Sequence, residues 1–253
     1  MAHPDIAAVK AHVPVRGDVD VFRELANAPV IAITGSNGKS TVTTMVGAMA
    51  KACGKRVAVG GNLGTPVLDL LADNVDLYVL ELSSFQLETT ENLAAKAATI
   101  LNLSQDHMDR YPSMDAYRRA KLRVFQGCEY LVLNRQDALT QPDDSSEPAS
   151  AEMTQKMTWF GLDSPKSGDF GVSESETGIL HLAKGQQRLL PVGQMMVKGR
   201  HNWANALAAL ALADVIGLER NQCLAALRQF SGLPHRCEWV GQHQGVVFIN
   251  DSK

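Results

Sequence analysis

A short run near the start of the chain carries the chemistry that is easiest to recognise: Val30-Ile-Ala-Ile-Thr-Gly-Ser-Asn-Gly-Lys-Ser-Thr41. Its apolar half is typical of a buried strand, and the glycines after it let backbone N–H groups approach an anion at the start of a helix. Lys39 could then reach the terminal phosphates of a nucleotide, and the Ser40 hydroxyl could bind Mg²⁺. Gly35 and Gly38 stand closer together than the glycines of the usual phosphate-binding loop, so a plain glycine-rich turn is the alternative.

Two further segments offer metal ligands at the ends of apolar runs. Glu81 follows the run that begins at Leu77, and an unpaired buried carboxylate is costly unless a cation such as Mg²⁺ compensates it. A solvated acid at a strand end is the alternative. His107 lies in an Asp-His-Met-Asp cluster, which could bind metal, orient a substrate or cap a helix, and the residues alone favour capping.

Three other polar segments are candidates for binding or catalysis. Lys121 lies one helical turn from Tyr117 and could point inward, although a surface lysine is the default interpretation. Asn202 and Asn205 share one face of a helix and could bind the edge of a nucleobase, unless Asn202 only caps that helix. Arg236 could contact a phosphate.

The elements that must position these residues alternate between strand and helix patterns through the first half of the chain. This alternation predicts an α/β fold with a mostly parallel sheet flanked by helices. Ligands bind such sheets beyond the carboxyl ends of the strands, so Thr34–Lys39, Asn62, Ser83 and His107 should converge on one edge. The predicted strands are Val30–Thr34, Arg56–Val59, Leu77–Leu82, Ala98–Leu103 and Tyr130–Leu133, and the predicted helices are Thr41–Cys53, closed by Gly54, and Asp115–Phe125.

The second half of the chain predicts a small β-rich subregion followed by helices. Polar Gln141–Thr154 indicates a surface loop, and Lys184-Gly185 indicates a hairpin turn between Ile179–Leu182 and Arg188–Leu190. Asn134-Arg-Gln-Asp137 resembles a guanine-reading loop but lacks its lysine, and we interpret it as a turn. The remaining predicted elements are the helices Asn202–Ile216 and Asn221–Phe230, a break at Gly232-Leu-Pro234 and the strand Val246–Ile249.

The composition narrows the class of protein. The 253 residues are 45% hydrophobic and 20% charged, as in an ordinary globular protein. A formal net charge of −3 gives no reason to expect binding to nucleic acid or to an anionic membrane. Neither a secretory signal nor an apolar stretch of membrane-spanning length is visible, and four scattered cysteines fit reduced thiols, so we expect a cytoplasmic protein.

A set of motifs, taken together and in order, makes the chain resemble the Mur ligases. The motifs are Thr34-Gly-Ser-Asn-Gly-Lys-Ser-Thr41, Gly61-Asn-Leu-Gly64, Glu81-Leu-Ser-Ser-Phe-Gln-Leu-Glu88, Asp106-His-Met-Asp-Arg-Tyr-Pro112, His201-Asn-Trp-Ala-Asn205, Gly232-Leu-Pro-His-Arg236 and Asn250-Asp-Ser-Lys253. Members of that family share the shortened spacing of the glycines. The resemblance implies a P-loop-like ATPase topology and three domains: the tail of an N-terminal UDP-binding domain in residues 1–20, a central ATP-binding domain in 21–232 and the truncated start of a C-terminal Rossmann-like domain in 233–253.

The resemblance also implies roles for particular residues. ATP phosphates would be bound by Gly35, Ser36, Asn37, Gly38, Lys39, Ser40 and Thr41. Asn205 would contact the adenine, and the third domain would close the site with Arg236, Asp251 and Lys253. Magnesium would be bound by Ser40, Glu81, His107 and a carbamylated Lys121. The UDP-muramoyl substrate would contact Asn62, Ser83 and His107, and the catalytic set would be Lys39, His107 and Lys121.

The chemistry implied by the resemblance is ATP-driven amide formation in peptidoglycan precursor synthesis. The alanyl carboxylate of UDP-N-acetylmuramoyl-L-alanine would form an acyl phosphate, which the amine of D-glutamate would attack. Two alternatives stay open: a sister amide ligase such as folylpolyglutamate synthetase, and a nucleotide-binding module without turnover. The Ser-Ser-Phe-Gln-Leu-Glu run after Glu81 favours D-glutamate as the amine, and we expect a monomer.

Overall fold

The computed structural model describes residues 13, 16–91, 93–142, 156–233, 238–250 and 252. Most of the predicted surface loop Gln141–Thr154 lies outside the described residues, and so do three of the predicted nucleotide contacts, Arg236, Asp251 and Lys253.

The described part of the chain alternates strands and helices as expected. The strands are β1 Val30–Thr34, β2 Val57–Gly61, β3 Leu77–Glu81, β4 Ala97–Ile100, β5 Tyr130–Asn134, β6 Met157–Phe160, β7 Phe170–Glu174, β8 Leu180–Lys184, β9 Gln187–Pro191, β10 Glu238–His243 and β11 Val246–Asn250. The α-helices are α1 Asp18–Leu25, α2 Lys39–Ala52, α3 Ser84–Thr89, α4 Met114–Leu122, α5 Arg200–Val215 and α6 Arg220–Gln229.

The strands form one large sheet and one small one. The large sheet has nine strands in the order β2-β3-β1-β4-β5-β6-β7-β8-β9. Neighbours from β2 to β7 pair in parallel, and β7, β8 and β9 pair antiparallel. The predicted α/β class with a mostly parallel sheet is therefore confirmed, and the β-rich subregion is the antiparallel extension of that same sheet. Strands β10 and β11 form a separate antiparallel pair.

Two apolar cores cover the two faces of the sheet. Ile31 and Ile33 of β1 pack into one core with α2, α5 and α6, whereas Val30 and Ala32 pack into the other with α1, α3 and α4. Every residue of β1 is buried because neighbouring strands flank it and helices cover both faces. This double burial explains why β1 reads as a continuous apolar run rather than as an alternating one.

The helix after β1 begins and ends at glycines in the left-handed region. Gly38, at φ +82°, precedes Lys39, and Gly54, at φ +74°, follows Cys53. A side chain at Gly38 would also collide with the Oδ1 of Asn205, 2.5 Å from the Cβ position. Glycine is favoured at such positions because it lacks a Cβ atom, and the predicted closure of this helix by Gly54 is confirmed.

The ends of some predicted elements are wrong. The strand predicted over Ala98–Leu103 ends at Ile100. The Leu101 N–H still donates to the last residue of β1, Thr34, at 2.9 Å, but Asn102 bonds to Ser36 and Asn37 in the loop after β1. The helix predicted from Thr41 begins two residues earlier, at Lys39, and the stretch predicted as helix to Phe125 ends as a 3₁₀ turn over Arg123–Phe125.

The helix predicted from Asn202 begins at Arg200 instead, with Gly199 at its N-cap. Asn202 therefore does not cap the helix: its amide donates to the Lys198 carbonyl from within the first turn, at 2.8 Å. Within the described ranges, no helix combines the length and the apolar character needed to cross a bilayer.

Candidate functional site

The segment that follows β4 fixes the backbone of the loop between β1 and α2. The Ser36 N–H donates to the Asn102 carbonyl at 2.9 Å, and the Asn37 N–H donates to the Asn102 Oδ1 at 2.8 Å. In return the Asn102 amide donates to the Asn37 carbonyl at 3.0 Å. This two-way bonding fixes the backbone of Ser36 and Asn37 and leaves the N–H groups at the start of α2 as the donors available to an anion. Sequence reasoning missed Asn102 because it placed the residue inside a strand.

Lys39 lies at the mouth of this phosphate loop. Its Nζ donates to the carbonyl oxygens of Gly35 and Ser36, each at 2.9 Å. Ser40, the next residue, is buried in the first turn of α2. The positive charge, the hydroxyl and the helix N-terminus therefore occupy one small volume, as expected for a triphosphate–magnesium site.

Glu81 is a buried carboxylate at the end of β3, with 3% of its surface exposed, so its interpretation as a solvated strand-end acid is wrong. The Asn62 amide donates to its Oε1 at 2.8 Å, and the Asn62 N–H donates to its backbone carbonyl, also at 2.8 Å. The Oε2 atom has no hydrogen-bond partner within the described structure. A buried carboxylate oxygen without a donor is costly, and a bound cation would compensate it.

Gly61, beside this pair, is needed for the contact. Its φ is +99°, and a Cβ at this position would lie 2.3 Å from the Glu81 carbonyl oxygen. The glycine thus lets the end of β2 come close enough to β3 for Asn62 to hold both the backbone and the carboxylate of Glu81.

Lys121 is also buried, with 2% of its surface exposed, so the default interpretation as a surface lysine is wrong. Its Nζ donates to the Thr34 Oγ1 at 3.2 Å and lies 4.9 Å from the centre of the Tyr117 ring. Desolvation by burial, and then the positive charge of Lys39, lower the pKa of Lys121 to about 7, against weaker raising effects of Asp106 and Glu81. Tyr117 joins this group to the phosphate loop through a hydroxyl contact with Ser36 of 3.2 Å.

His107 sits at the rim of the site rather than inside it. Its side chain is 45% exposed, its Nε2 lies 3.5 Å from the Asp106 Oδ2, and its ring lies 4.9 Å from the ring of Phe85. The backbone of His107 is left-handed, with φ +54°, so the chain turns sharply there. The capping interpretation of the cluster is wrong, because Ser113 occupies the N-cap of α4.

Ser83, another predicted substrate contact, lies at the N-terminus of α3 and forms a capping box with Gln86. Its hydroxyl accepts from the Gln86 N–H at 3.2 Å and donates to the Gln86 Oε1 at 3.2 Å. This bonding holds the Ser83 hydroxyl in one orientation just beyond the carboxyl end of β3, in the chain segment that directly follows Glu81.

A cleft of about 500 Å³ opens beside the phosphate loop. Among the residues that line it are Asn37, Thr41, Asn134, Phe160 and Asn205. The Asn205 amide donates to the Asn202 Oδ1 at 3.3 Å, so the two asparagines predicted to share a face do so. Asn134 was interpreted only as the start of a turn; the turn is present at Arg135 and Gln136, and sequence reasoning missed that Asn134 also borders the cleft.

The arrangement brings together residues from two strand ends and one helix. The loop after β1, Glu81 at the end of β3 and Lys121 on α4 lie within electrostatic reach of one another. No cluster of three His, Cys, Asp or Glu side chains suited to a metal occurs among the residues described. The oxygens of Glu81 and Ser40 are hard ligands, which suit Mg²⁺ better than a transition metal.

The buried lysine makes the free energy of unfolding depend on pH. Because the pKa of Lys121 falls from 10.5 to about 7 on folding, the unfolded chain binds more protons between these values. The cost of burying the charge is therefore present in full below pH 7 and is relieved as the pH rises. We expect a contribution to stability that increases by up to about 1.4 kcal/mol per pH unit above pH 7.

Urea unfolding at pH 7, 8 and 9 in buffers free of carbon dioxide measures this slope. Lys121→Met is the matched control, because it removes the titrating group and keeps most of the side-chain volume. The stability of Lys121→Met, relative to the protein with Lys121, should be greatest at pH 7 and should decline as the pH rises. Parallel plots of unfolding free energy against pH for the two proteins would contradict the shifted pKa.

Comparison with known proteins identifies close relatives. A sequence profile of the Mur ligase middle domain matches residues 33–213. The UDP-N-acetylmuramoylalanine–D-glutamate ligase of Hahella chejuensis is 65% identical over 253 residues, which are 100% of this chain and 55% of that protein. The protein of the same name from Pseudomonas savastanoi pv. phaseolicola is 56% identical over 241 residues, 95% of this chain and 52% of its own length.

The fold agrees with solved structures. The UDP-N-acetylmuramate-alanine ligase of Thermotoga maritima superposes with a TM-score of 0.66 at 25% identity, covering 97% of this chain and 56% of that one. The chain therefore spans about half the length of the curated relatives it matches.

Proposed function

Since the chain belongs to the Mur ligase family, we propose that it forms the ATP-binding core of a ligase that joins D-glutamate to UDP-N-acetylmuramoyl-L-alanine in peptidoglycan precursor synthesis. The observation that supports this most is the convergence of the phosphate loop, the unpartnered Glu81 oxygen and the buried Lys121. The identity of 65% to a D-glutamate ligase favours this substrate over those of sister amide ligases.

The proposal extends to the parts of the relatives' length that the sequence does not span. We assign residues 1–20 to the tail of an N-terminal UDP-binding domain, 21–232 to the central ATP-binding domain and 233–253 to the start of a C-terminal domain. The chain joined to those regions is called the complete enzyme below. Because the reaction consumes ATP, we place it in the cytoplasm; a monomeric state stays a prediction.

In the proposed mechanism the phosphate loop binds the triphosphate of ATP. Residues 35–41 surround the triphosphate, and the N–H groups at the start of α2, in residues 39–41, face its oxygens, since those of Ser36 and Asn37 are bonded to Asn102. The Lys39 ammonium moves from the Gly35 and Ser36 carbonyls to neutralise the negative charge that develops on the γ-phosphoryl group. The adenine enters the cleft beside Asn205. Arg236, Asp251 and Lys253 are proposed to close this site from the third domain.

The residues present fit a magnesium ion. Glu81 supplies a buried anionic oxygen without a donor, and Ser40 supplies a hydroxyl at the helix N-terminus beside Lys39. His107 and modified Lys121 are proposed to hold a second ion. Bound magnesium would neutralise charge on the phosphates and on the acyl phosphate oxygens.

Lys121 fits a carbamate because burial leaves much of its amine neutral near pH 7. In the proposed modification the nitrogen lone pair forms an N–C bond to carbon dioxide, one C–O π pair moves onto oxygen, and a nitrogen proton passes to water. The product carries a negative charge and two ligand oxygens, whereas the unmodified side chain is neutral or, when protonated, positively charged. It would turn a repulsive neighbour of Lys39 into an attractive one.

The muramoyl substrate is proposed to bind at the carboxyl edge of the sheet, in contact with Asn62, Ser83 and His107. Asn62 and Ser83 are held by Glu81 and Gln86 respectively, so their polar groups are oriented before a substrate arrives. The exposed His107 ring is available at the rim. These residues place the alanyl carboxylate in line with the γ-phosphoryl group, and the resulting acyl phosphate is then attacked by the amine of D-glutamate with loss of phosphate.

Glu81→Gln tests the proposed metal ligand. Removing the negative charge while keeping the side-chain size should weaken the Mg²⁺-dependent part of ATP binding about tenfold or more, since charge supplies most of a carboxylate's affinity for Mg²⁺. Titration calorimetry of ATP with and without Mg²⁺ measures this difference. Glu91→Gln, which changes an exposed acid beyond α3, is the control; an equal loss in both variants would contradict the assignment.

The reaction itself is tested by phosphate release. The complete enzyme should release phosphate from ATP only when UDP-N-acetylmuramoyl-L-alanine and D-glutamate are both present, and should release less with other amino acids as the amine. ATP binding without phosphate release under these conditions would favour a nucleotide-binding module. Release that prefers another amine would favour a sister ligase.

A further inference from the structure

We propose that Thr34 is a positioning residue for Lys121: its buried hydroxyl holds one N–H of the amine and so directs the nitrogen lone pair toward carbon dioxide. The inference rests on the proposed carbamate. It gives a role to Thr34, to which the motifs assign none. Thr34 lies at the end of β1, just before the phosphate loop, and is 0% exposed.

The direction of the hydrogen bonds follows from the chemistry of a hydroxyl group. Thr34 has one hydroxyl proton, and its Oγ1 donates it to the Leu82 carbonyl at 2.7 Å. The contact with Lys121 Nζ at 3.2 Å must then run from nitrogen to oxygen. Leu82 is itself fixed, because its N–H donates to the Ile33 carbonyl at 2.9 Å. The lone pair of Thr34 Oγ1 that accepts from Lys121 therefore has a defined direction.

The two hydrogen bonds of the Thr34 hydroxyl link three parts of the fold to the Lys121 Nζ. Thr34 ends β1, Leu82 follows β3, and Lys121 lies on α4. One N–H of the Lys121 amine is directed toward Thr34, and the Tyr117 ring lies 4.9 Å from the nitrogen. The second N–H and the lone pair of the neutral amine therefore point away from β1. The β-branched side chain adds stiffness, because Thr has few rotamers in a strand.

A purely structural role would not require the hydroxyl. Valine has nearly the same shape, suits a buried strand at least as well and avoids burying a polar group. The hydroxyl is thus the feature to test, and two variants separate it from the side-chain volume: Thr34→Val keeps the shape and removes the hydroxyl, whereas Thr34→Ser keeps the hydroxyl and removes a methyl group.

The experiment measures the carbamate directly. Carbon-13 NMR of the complete enzyme with Mg²⁺, a non-hydrolysable ATP analogue and ¹³C-bicarbonate should give a carbamate signal that Lys121→Met lacks. We expect the half-saturating bicarbonate concentration to rise about fivefold or more in Thr34→Val, as for loss of one hydrogen bond. Thr34→Ser should stay within about twofold of the unmodified protein.

Other outcomes overturn the inference. Equal half-saturation in Thr34→Val and the unmodified protein, or equal losses in the serine and valine variants, would show that the hydroxyl does not act on Lys121. Should circular dichroism show that Thr34→Val is unfolded, Thr34→Cys, with its weakly accepting thiol, takes its place with the same expectation. A missing signal in the unmodified enzyme would remove both the carbamate and this role, while substrate-dependent phosphate release would leave the ligase proposal standing.

Discussion

Replacing Lys39 with alanine is expected to lower turnover of the complete enzyme by about a thousandfold or more, the scale seen when a group that stabilises transition-state charge is removed. The Lys39 Nζ lies at the mouth of the phosphate loop, 2.9 Å from two of its carbonyl oxygens. Without this ammonium, only backbone dipoles and the proposed magnesium ions would offset the negative charge that develops during phosphoryl transfer. Steady-state phosphate release at saturating substrates measures the loss.

The matched control is Lys51→Ala. Lys51 lies in the last turn of the same helix, α2, and is exposed, so its removal should change neither turnover nor folding. Calorimetric ATP binding separates the ground state from the transition state: we expect a smaller loss of affinity than of turnover in Lys39→Ala. Unchanged turnover in this variant would refute the assignment of residues 35–41 as the phosphate loop.

Much of the fold could be predicted because its determinants are local. Apolar runs such as Val30–Thr34 and Tyr130–Leu133, separated by helix patterns, are sufficient to predict a mostly parallel sheet. The rule that ligands meet such sheets at the carboxyl ends of their strands predicts that Thr34–Lys39, Asn62, Ser83 and His107 share one edge. In the structure Asn62 bonds to Glu81 at the end of β3, whereas His107 lies at the rim. The ends of elements were less accurate, because tertiary hydrogen bonds such as those between Asn102 and the loop residues Ser36 and Asn37 set them.

The electrostatic character of the site could not be predicted in this way. Glu81 and Lys121 are buried because β3 inserts between β2 and β1 and because α4 packs against the sheet, and no local pattern encodes strand order. The same applies to Asn102, because its apolar neighbours Leu101 and Leu103 led to the prediction of a strand there. The lowered pKa of Lys121 follows from this burial and from the nearby Lys39, which is distant in sequence.

Replacing Lys121 with alanine should also abolish most activity, and short carboxylates should restore part of it. If the side chain acts as a carbamate, its removal takes away an anionic pair of ligand oxygens, and we expect turnover to fall about a hundredfold or more. The alanine leaves a cavity where the buried side chain lay. Formate, acetate or propionate at millimolar concentration can enter it and supply the missing oxygens, so turnover should rise with their concentration.

The charge of the rescuing molecule decides between two roles for Lys121. Propionate and propylammonium have similar size and opposite charge, so the variant should respond to the first and not to the second if a carbamate is the active form. Rescue by propylammonium alone would mean that Lys121 acts as a cation and would remove the carbamate from the mechanism. Arg119→Ala, two residues earlier on α4 and exposed to solvent, is the matched control, and its turnover should be unaffected by either compound because Arg119 pairs with Asp115 at the surface.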